Sequence, residues 1–146
     1  SMLVDDLFDR VRPEAANIGL RLENYVQLDD VLMVDKDLLT IALNNLVMNA
    51  VTYTQKGVVR ISAMTVENRY HVIVSDMGPG LSAEARAGIE RIREGDHRTT
   101  NDENGKGIGG LGYIIVHGIM DLLGGDFEVV GEDGPGTTIV LRLPMK

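Results

Sequence analysis

Apolar and polar positions along this chain change period several times, and each change marks an element. From Leu3 to about Ile18 the residues Leu3, Val4, Leu7, Phe8, Val11 and Ala15 recur at intervals of three and four, which predicts an amphipathic helix with a kink or boundary at Pro13. Leu20, Leu22, Tyr25 and Val26 read as a short strand, and Val31 to Val34 offers a second short apolar run. Asp35 can cap the next element. Lys36 to about Thr52 reads as the main helix, with Leu39, Leu43, Leu46 and Ala50 on a core-facing stripe and Asn45 and Asn49 to one side of it.

Beyond Gly57 the period drops to two. Val58–Val66 and Tyr70–Ser75 predict a pair of strands joined by a turn around Glu67, Asn68 and Arg69. Ser82 to about Gly95 reads as a helix with charged sides. Asp96–Lys106 is polar with no apolar residue to anchor it, and a mobile loop is expected there. Leu111 to about Leu123 is almost continuously apolar, the pattern of a deeply buried helix, and Gly124-Gly125 stops it. Asp126–Val130 and Thr137–Leu143 complete the strands, joined by the turn-rich connector of residues 131–136. The order implies a two-layer α/β sandwich, with a mixed, mostly antiparallel sheet and the helices on one face.

Composition narrows the picture. At 146 residues the chain fits one domain, residues 1–146, able to bury a core without staples. It has no cysteine, so neither disulfides nor thiolate metal sites are available, and a reducing compartment is the natural expectation. No run of 18 apolar residues exists and no basic-then-apolar start precedes the first element, so this segment carries neither a membrane span nor an export signal. Ser1-Met2 reads as an expression scar, which leads us to expect further natural sequence upstream. The formal charge of −8, from 22 acidic and 14 basic residues, argues against nucleic acid as a partner, and the few aromatic residues are not interleaved with basic ones. An anionic ligand would have to be held locally, by backbone N–H groups, a helix N-terminus and a divalent cation.

Three groups of residues carry candidate chemistry. In Asp76-Met77-Gly78-Pro79-Gly80 a carboxylate at a strand end is followed by Gly78 and Gly80, which let the chain turn sharply and a flat ligand approach the backbone. Such a carboxylate can accept the exocyclic amino proton of adenine, although the same string also makes an ordinary acidic turn. Gly105-Lys106-Gly107-Ile108-Gly109-Gly110-Leu111-Gly112 leaves backbone N–H groups open at the start of a helix, where partial positive charge suits phosphate. Lys106 adds a point charge. The loop has neither the ending of a Walker loop nor the preceding strand of a dinucleotide fingerprint, and alone it would equally serve as a flexible hinge. Asn45 and Asn49, four residues apart, share a helix face, so their amide oxygens can approach one hydrated cation. Thr137, just after Gly136, can direct its hydroxyl toward the adenine slot or into solvent. His71, His97 and His117 are scattered, without the spacing of a zinc site, and structural or surface roles are expected for them.

Together Asn45-Leu46-Val47-Met48-Asn49-Ala50, the Asp76–Gly80 string, Gly107 to Gly112 and Gly134-Pro135-Gly136-Thr137 closely resemble the boxes of the catalytic ATP-binding domain of sensor histidine kinases. Those kinases share a wider superfamily with gyrase, MutL and the heat-shock chaperone ATPases. The resemblance covers about Leu3 to Pro144 and implies a Bergerat-type fold with a movable lid between about Leu81 and Lys106. It implies that Asn49 binds Mg²⁺, that Asn45 holds or orients the phosphate end as the catalytic residue, that Asp76 reads adenine, and that Gly110, Leu111 and Gly112 wrap the phosphates of ATP. Gly107, Ile108 and Gly109 continue that loop, Tyr53 matches the continuation of the asparagine box, and Arg98 and Lys106 are the basic residues expected to meet phosphate.

The chain also departs from the pattern. Thr52 stands where many sensor kinases have a basic residue, Ile89 and Ile92 are the nearest apolar substitutes for the lid's phenylalanine box, and the glycine loop carries an extra residue around Gly109. Asn45 occupies the place where ATP-hydrolysing relatives carry glutamate. An amide cannot take a proton from water, which favours transfer to a protein nucleophile over hydrolysis. The resemblance therefore implies a kinase in two-component signalling, with a histidine-bearing dimerisation domain upstream and a response regulator as partners. The domain alone is expected to be a cytoplasmic monomer, within an intact homodimer that is soluble or anchored in the inner membrane. A serine kinase of the anti-sigma-factor type and a non-catalytic regulatory domain that holds nucleotide or protein are the alternatives.

Overall fold

The longest helix begins where a side chain supplies acceptors that the backbone lacks. Asp35 Oδ1 accepts from the backbone N–H groups of Asp37 at 2.9 Å and Leu38 at 3.2 Å, satisfying two donors that no helical carbonyl can reach. Such a cap contributes about 1 kcal/mol. Helix α1 then runs over Lys36–Tyr53 and buries Leu39, Ala42, Leu43, Leu46, Val47 and Ala50. In the computed structural model the described residues are 8–10, 12–13, 20–25, 35–53, 57–76, 83–95, 110–130 and 136–144. The expectations for Leu3–Leu7, Val31–Val34, the soft segment from Asp96 and the connector at 131–135 lie outside them. Residues 8–10 and 12–13 are helical, and Phe8 is buried in the core.

Around α1 stand β1 (Leu20–Tyr25), β2 (Gly57–Val66), β3 (Arg69–Asp76), α2 (Ala83–Arg93), α3 (Gly110–Leu123), β4 (Asp126–Val130) and β5 (Thr137–Pro144). The strands form one sheet in the order β1-β2-β3-β5-β4. β1 and β2 run parallel, and every other pairing is antiparallel. This is the mixed α/β architecture of the Bergerat fold, with the helices on one face. The β2–β3 connection is tighter than the expected three-residue turn: Arg69 already pairs with Val66, leaving Glu67 and Asn68 at φ 50° and 65°. Two consecutive left-handed residues match the twist of a two-residue hairpin.

Alternation gives the sheet two unlike faces. Val59 and Ile61 of β2, Tyr70, Val72 and Val74 of β3, Ile139, Leu141 and Leu143 of β5, and Phe127 of β4 join the buried cluster with α1, α2 and α3. The opposite face carries ion pairs: Arg60 with Glu23 at 2.9 Å, and Arg142 with Glu128 at 2.7 Å and Asp126 at 3.0 Å. The hydrogen bond to Glu128 is the largest influence raising the Arg142 pKa above its ordinary value; partial burial opposes it and Asp126 adds to it. Pairs this exposed add little to stability. That face is mixed, since Val58 and Val140 lie on it as well and are buried.

Helix α3 corrects one expectation. Its apolar run predicts a deeply buried helix, and Tyr113, Val116, Ile119 and Met120 are buried with Ile114 and Ile115 half-buried, but Leu122 at the last turn is 75% exposed. Exposure is confined to that end, since the described residues from Gly112 to Met120 are all buried or half-buried. The helix ends in a paired glycine cap: Gly125 N–H donates to the Met120 carbonyl at 2.8 Å and Gly124 N–H to that of Asp121 at 3.2 Å, with Gly124 at φ 76°. Among the described residues no helix is long and apolar enough to cross a membrane.

Candidate functional site

Helix α1 sets the first part of the site by its period. With Leu46, Val47 and Ala50 turned into the core, Asn45 and Asn49 fall on the flank beside that stripe, both half-buried. Asn45 Nδ2 donates to the Ile41 carbonyl one turn back, at 2.9 Å. That bond anchors the amide to its own helix and fixes which way its oxygen points. Asn49 Nδ2 is shut off from water and has no hydrogen-bond partner among the described residues. An orphaned buried donor costs on the order of 1–3 kcal/mol, a penalty that a bound acceptor would offset.

Both amides meet α3 at Gly112. A Cβ placed on Gly112 would lie 3.4 Å from Asn49 Nδ2, 3.5 Å from Asn45 Oδ1 and 3.8 Å from Asn49 Oδ1. The first turn of α3 therefore passes directly over the amide pair, and Gly112 keeps that approach free of a side chain. A helix N-terminus brings unpaired backbone N–H groups and partial positive charge to the same place. Amide oxygens are neutral, hard ligands that suit Mg²⁺, provided phosphates supply the charge balance. The amide oxygens fit a nucleotide-bound cation, and the orphaned Asn49 nitrogen, a donor, fits an acceptor such as a phosphate oxygen.

The second part of the site is made by strand register. Asp76 ends β3 and pairs with Thr137, the first residue of β5, on one side and with Val59 of β2 on the other. Since Asp76 is two residues beyond Val74, it stands on the helix-covered face, and Thr137 stands on that face beside it. Both are half-buried. A carboxylate, a hydroxyl and the apolar Val59 in adjacent strands make one strip at the end of the sheet. Val59 escapes sequence reasoning, since only the register of β2 on β3 brings it there.

The sequence-expected residues divide accordingly. Asn45, Asn49 and Gly112 are brought into contact, and Asp76 and Thr137 are cross-strand neighbours. Gly110 and Leu111 open α3. Gly78, Gly80, Arg98, Lys106, Gly107, Ile108 and Gly109 lie outside the described residues, as do the side chains of Thr52, Tyr53 and Leu111. Within the expected lid, α2 occupies residues 83–93 and buries Ile89 and Ile92, so those two residues serve as core. His71 sits on β3 and His117 on α3, the latter 3.8 Å from Asp121 and edge-on to Phe127, while His97 lies outside the described residues.

Residues 34–146 match the model of the histidine kinase-, DNA gyrase B- and HSP90-like ATPases. The chain belongs to this family. As a member it is an ATP-binding domain, and the proteins it resembles include sensor kinases. It is 34% identical over 144 residues to the autoinducer 2 sensor kinase/phosphatase LuxQ of Vibrio parahaemolyticus, covering 92% of this chain and 16% of that protein. It is 35% identical over 117 residues to the sensor protein KdpD of Mycobacterium tuberculosis, covering 79% of this chain and 13% of that protein. The chain thus spans a small part of these relatives. Among solved structures it resembles full-length ShkA in complex with AMPPNP, at a TM-score of 0.77 and 28% identity over 97% of this chain and 29% of ShkA. The catalytic domain of the histidine kinase ThkA shares the fold, at a TM-score of 0.78 and 20% identity, covering 98% of this chain and 90% of that one.

Proposed function

We propose that residues 1–146 form the catalytic ATP-binding domain of a sensor histidine kinase, which transfers the γ-phosphoryl group of Mg-ATP to a histidine on a separate dimerisation domain. The meeting of Asn45, Asn49 and Gly112 carries this reading, because it sets two neutral oxygen ligands against a helix N-terminus as a metal-bound triphosphate requires. Asp76 accepts the exocyclic amino proton of adenine, with Gly78 and Gly80 letting the base approach and Thr137 adding a hydroxyl beside the carboxylate. Backbone N–H groups of Gly107 to Gly112 wrap the phosphates. Arg98 and Lys106 supply lid charges, and Tyr53 closes the asparagine side. Asn49 would hold Mg²⁺, which when bound neutralises charge on the phosphate oxygens. Asn45 orients the phosphate end and, being an amide, activates no water. The γ-phosphoryl group is thereby kept for a nucleophile from outside the domain. The AMPPNP complex of ShkA, whose sequence is 28% identical, supports the nucleotide assignment.

The same reading supplies the remaining parts. The acceptor histidine lies upstream in the intact protein, a response regulator takes the phosphoryl group onward, and the intact protein is a homodimeric phosphoprotein with this domain on the cytoplasmic side, whether soluble or anchored in the inner membrane. The isolated domain is monomeric and binds Mg-ATP without labelling itself. Two measurements test this. With the upstream region restored and labelled ATP supplied, an acid-labile phosphohistidine should form over time; tight Mg-ATP binding with no phosphohistidine in any signalling state would overturn the kinase reading. In the isolated domain, Asp76→Asn should cost on the order of 1.5–3 kcal/mol of ATP affinity by calorimetry, and an unchanged affinity in a folded variant would remove the adenine assignment.

A further inference from the structure

We draw no further inference here: the strongest candidate, the half-buried Arg86 on the flank of α2, whose Nε is shut off from water without a hydrogen-bond partner, carries nothing because no cavity or anionic group among the described residues is shown to face it.

Discussion

Just past the last turn of α3 a Cβ on Gly125 would lie 2.0 Å from the carbonyl oxygen of Arg142 and 3.0 Å from Met120 Cε. At the first turn of the same helix a Cβ on Gly112 would lie 3.4 and 3.5 Å from the Asn49 and Asn45 amides, at ordinary contact distance. The obstruction at Gly125 is backbone, held in place by the β5 ladder, and cannot move aside. The neighbours of Gly112 are side-chain amides, which unlike a paired strand backbone can give way by rotation. One glycine closes the fold by letting helix and strand touch; the other sets the start of the helix against two amides without a side chain between them. Gly118, between them on α3, has nothing within 4 Å of its would-be Cβ and serves neither purpose.

This contrast can be broken by substitution. Gly125→Ala should have the largest effect, a loss on the order of 3 kcal/mol or a failure to fold, because overpacking against rigid backbone finds no relaxation. Urea unfolding measures it, and a near-normal midpoint would mean that β5 yields more readily than its pairing suggests. Gly112→Ala should leave the urea midpoint unchanged or slightly raised while weakening Mg-ATP binding about tenfold or more, equivalent to about 1.4 kcal/mol, since the new methyl covers the amide pair. Should Gly112→Ala unfold the protein as Gly125→Ala does, the two ends of α3 would be equivalent and the site assignment at Gly112 would lose its support. Gly118→Ala should have the smallest effect and the opposite sign. Replacing glycine inside a helix with free space around it should stabilise by roughly 0.5–1 kcal/mol, with ATP affinity unchanged by calorimetry.

Much of the fold is legible along the chain because its causes are local. The Asp35 cap, the stripe of Leu39, Leu43, Leu46 and Ala50, the β2–β3 hairpin and the Gly124-Gly125 stop each depend on residues within a few positions of one another, and each lies where the pattern indicates. Where local pattern misled, a distant partner was responsible. Leu122 belongs to an apolar run yet projects outward, because it lies at the last turn of α3, beyond the stretch that α1, α2 and the sheet cover. Ile89 and Ile92, considered as lid residues, are core, because α2 packs its inner side on the shared cluster.

The site divides along the same line. Sequence alone determined that Asn45 and Asn49 share a helix face, that Asp76 ends a strand beside glycines, and that a glycine-rich stretch opens the last helix, since helix period and turn chemistry are properties of neighbouring residues. Tertiary structure alone decided that Gly112 lies against both amides, that Asp76 has Thr137 on one side and Val59 on the other, and that Asn49 Nδ2 is buried without a partner among the described residues. Strand register and helix docking are set by which apolar faces bury one another across long stretches of chain. That free energy is non-directional and belongs to no single segment, so only the assembled core determines which residues meet.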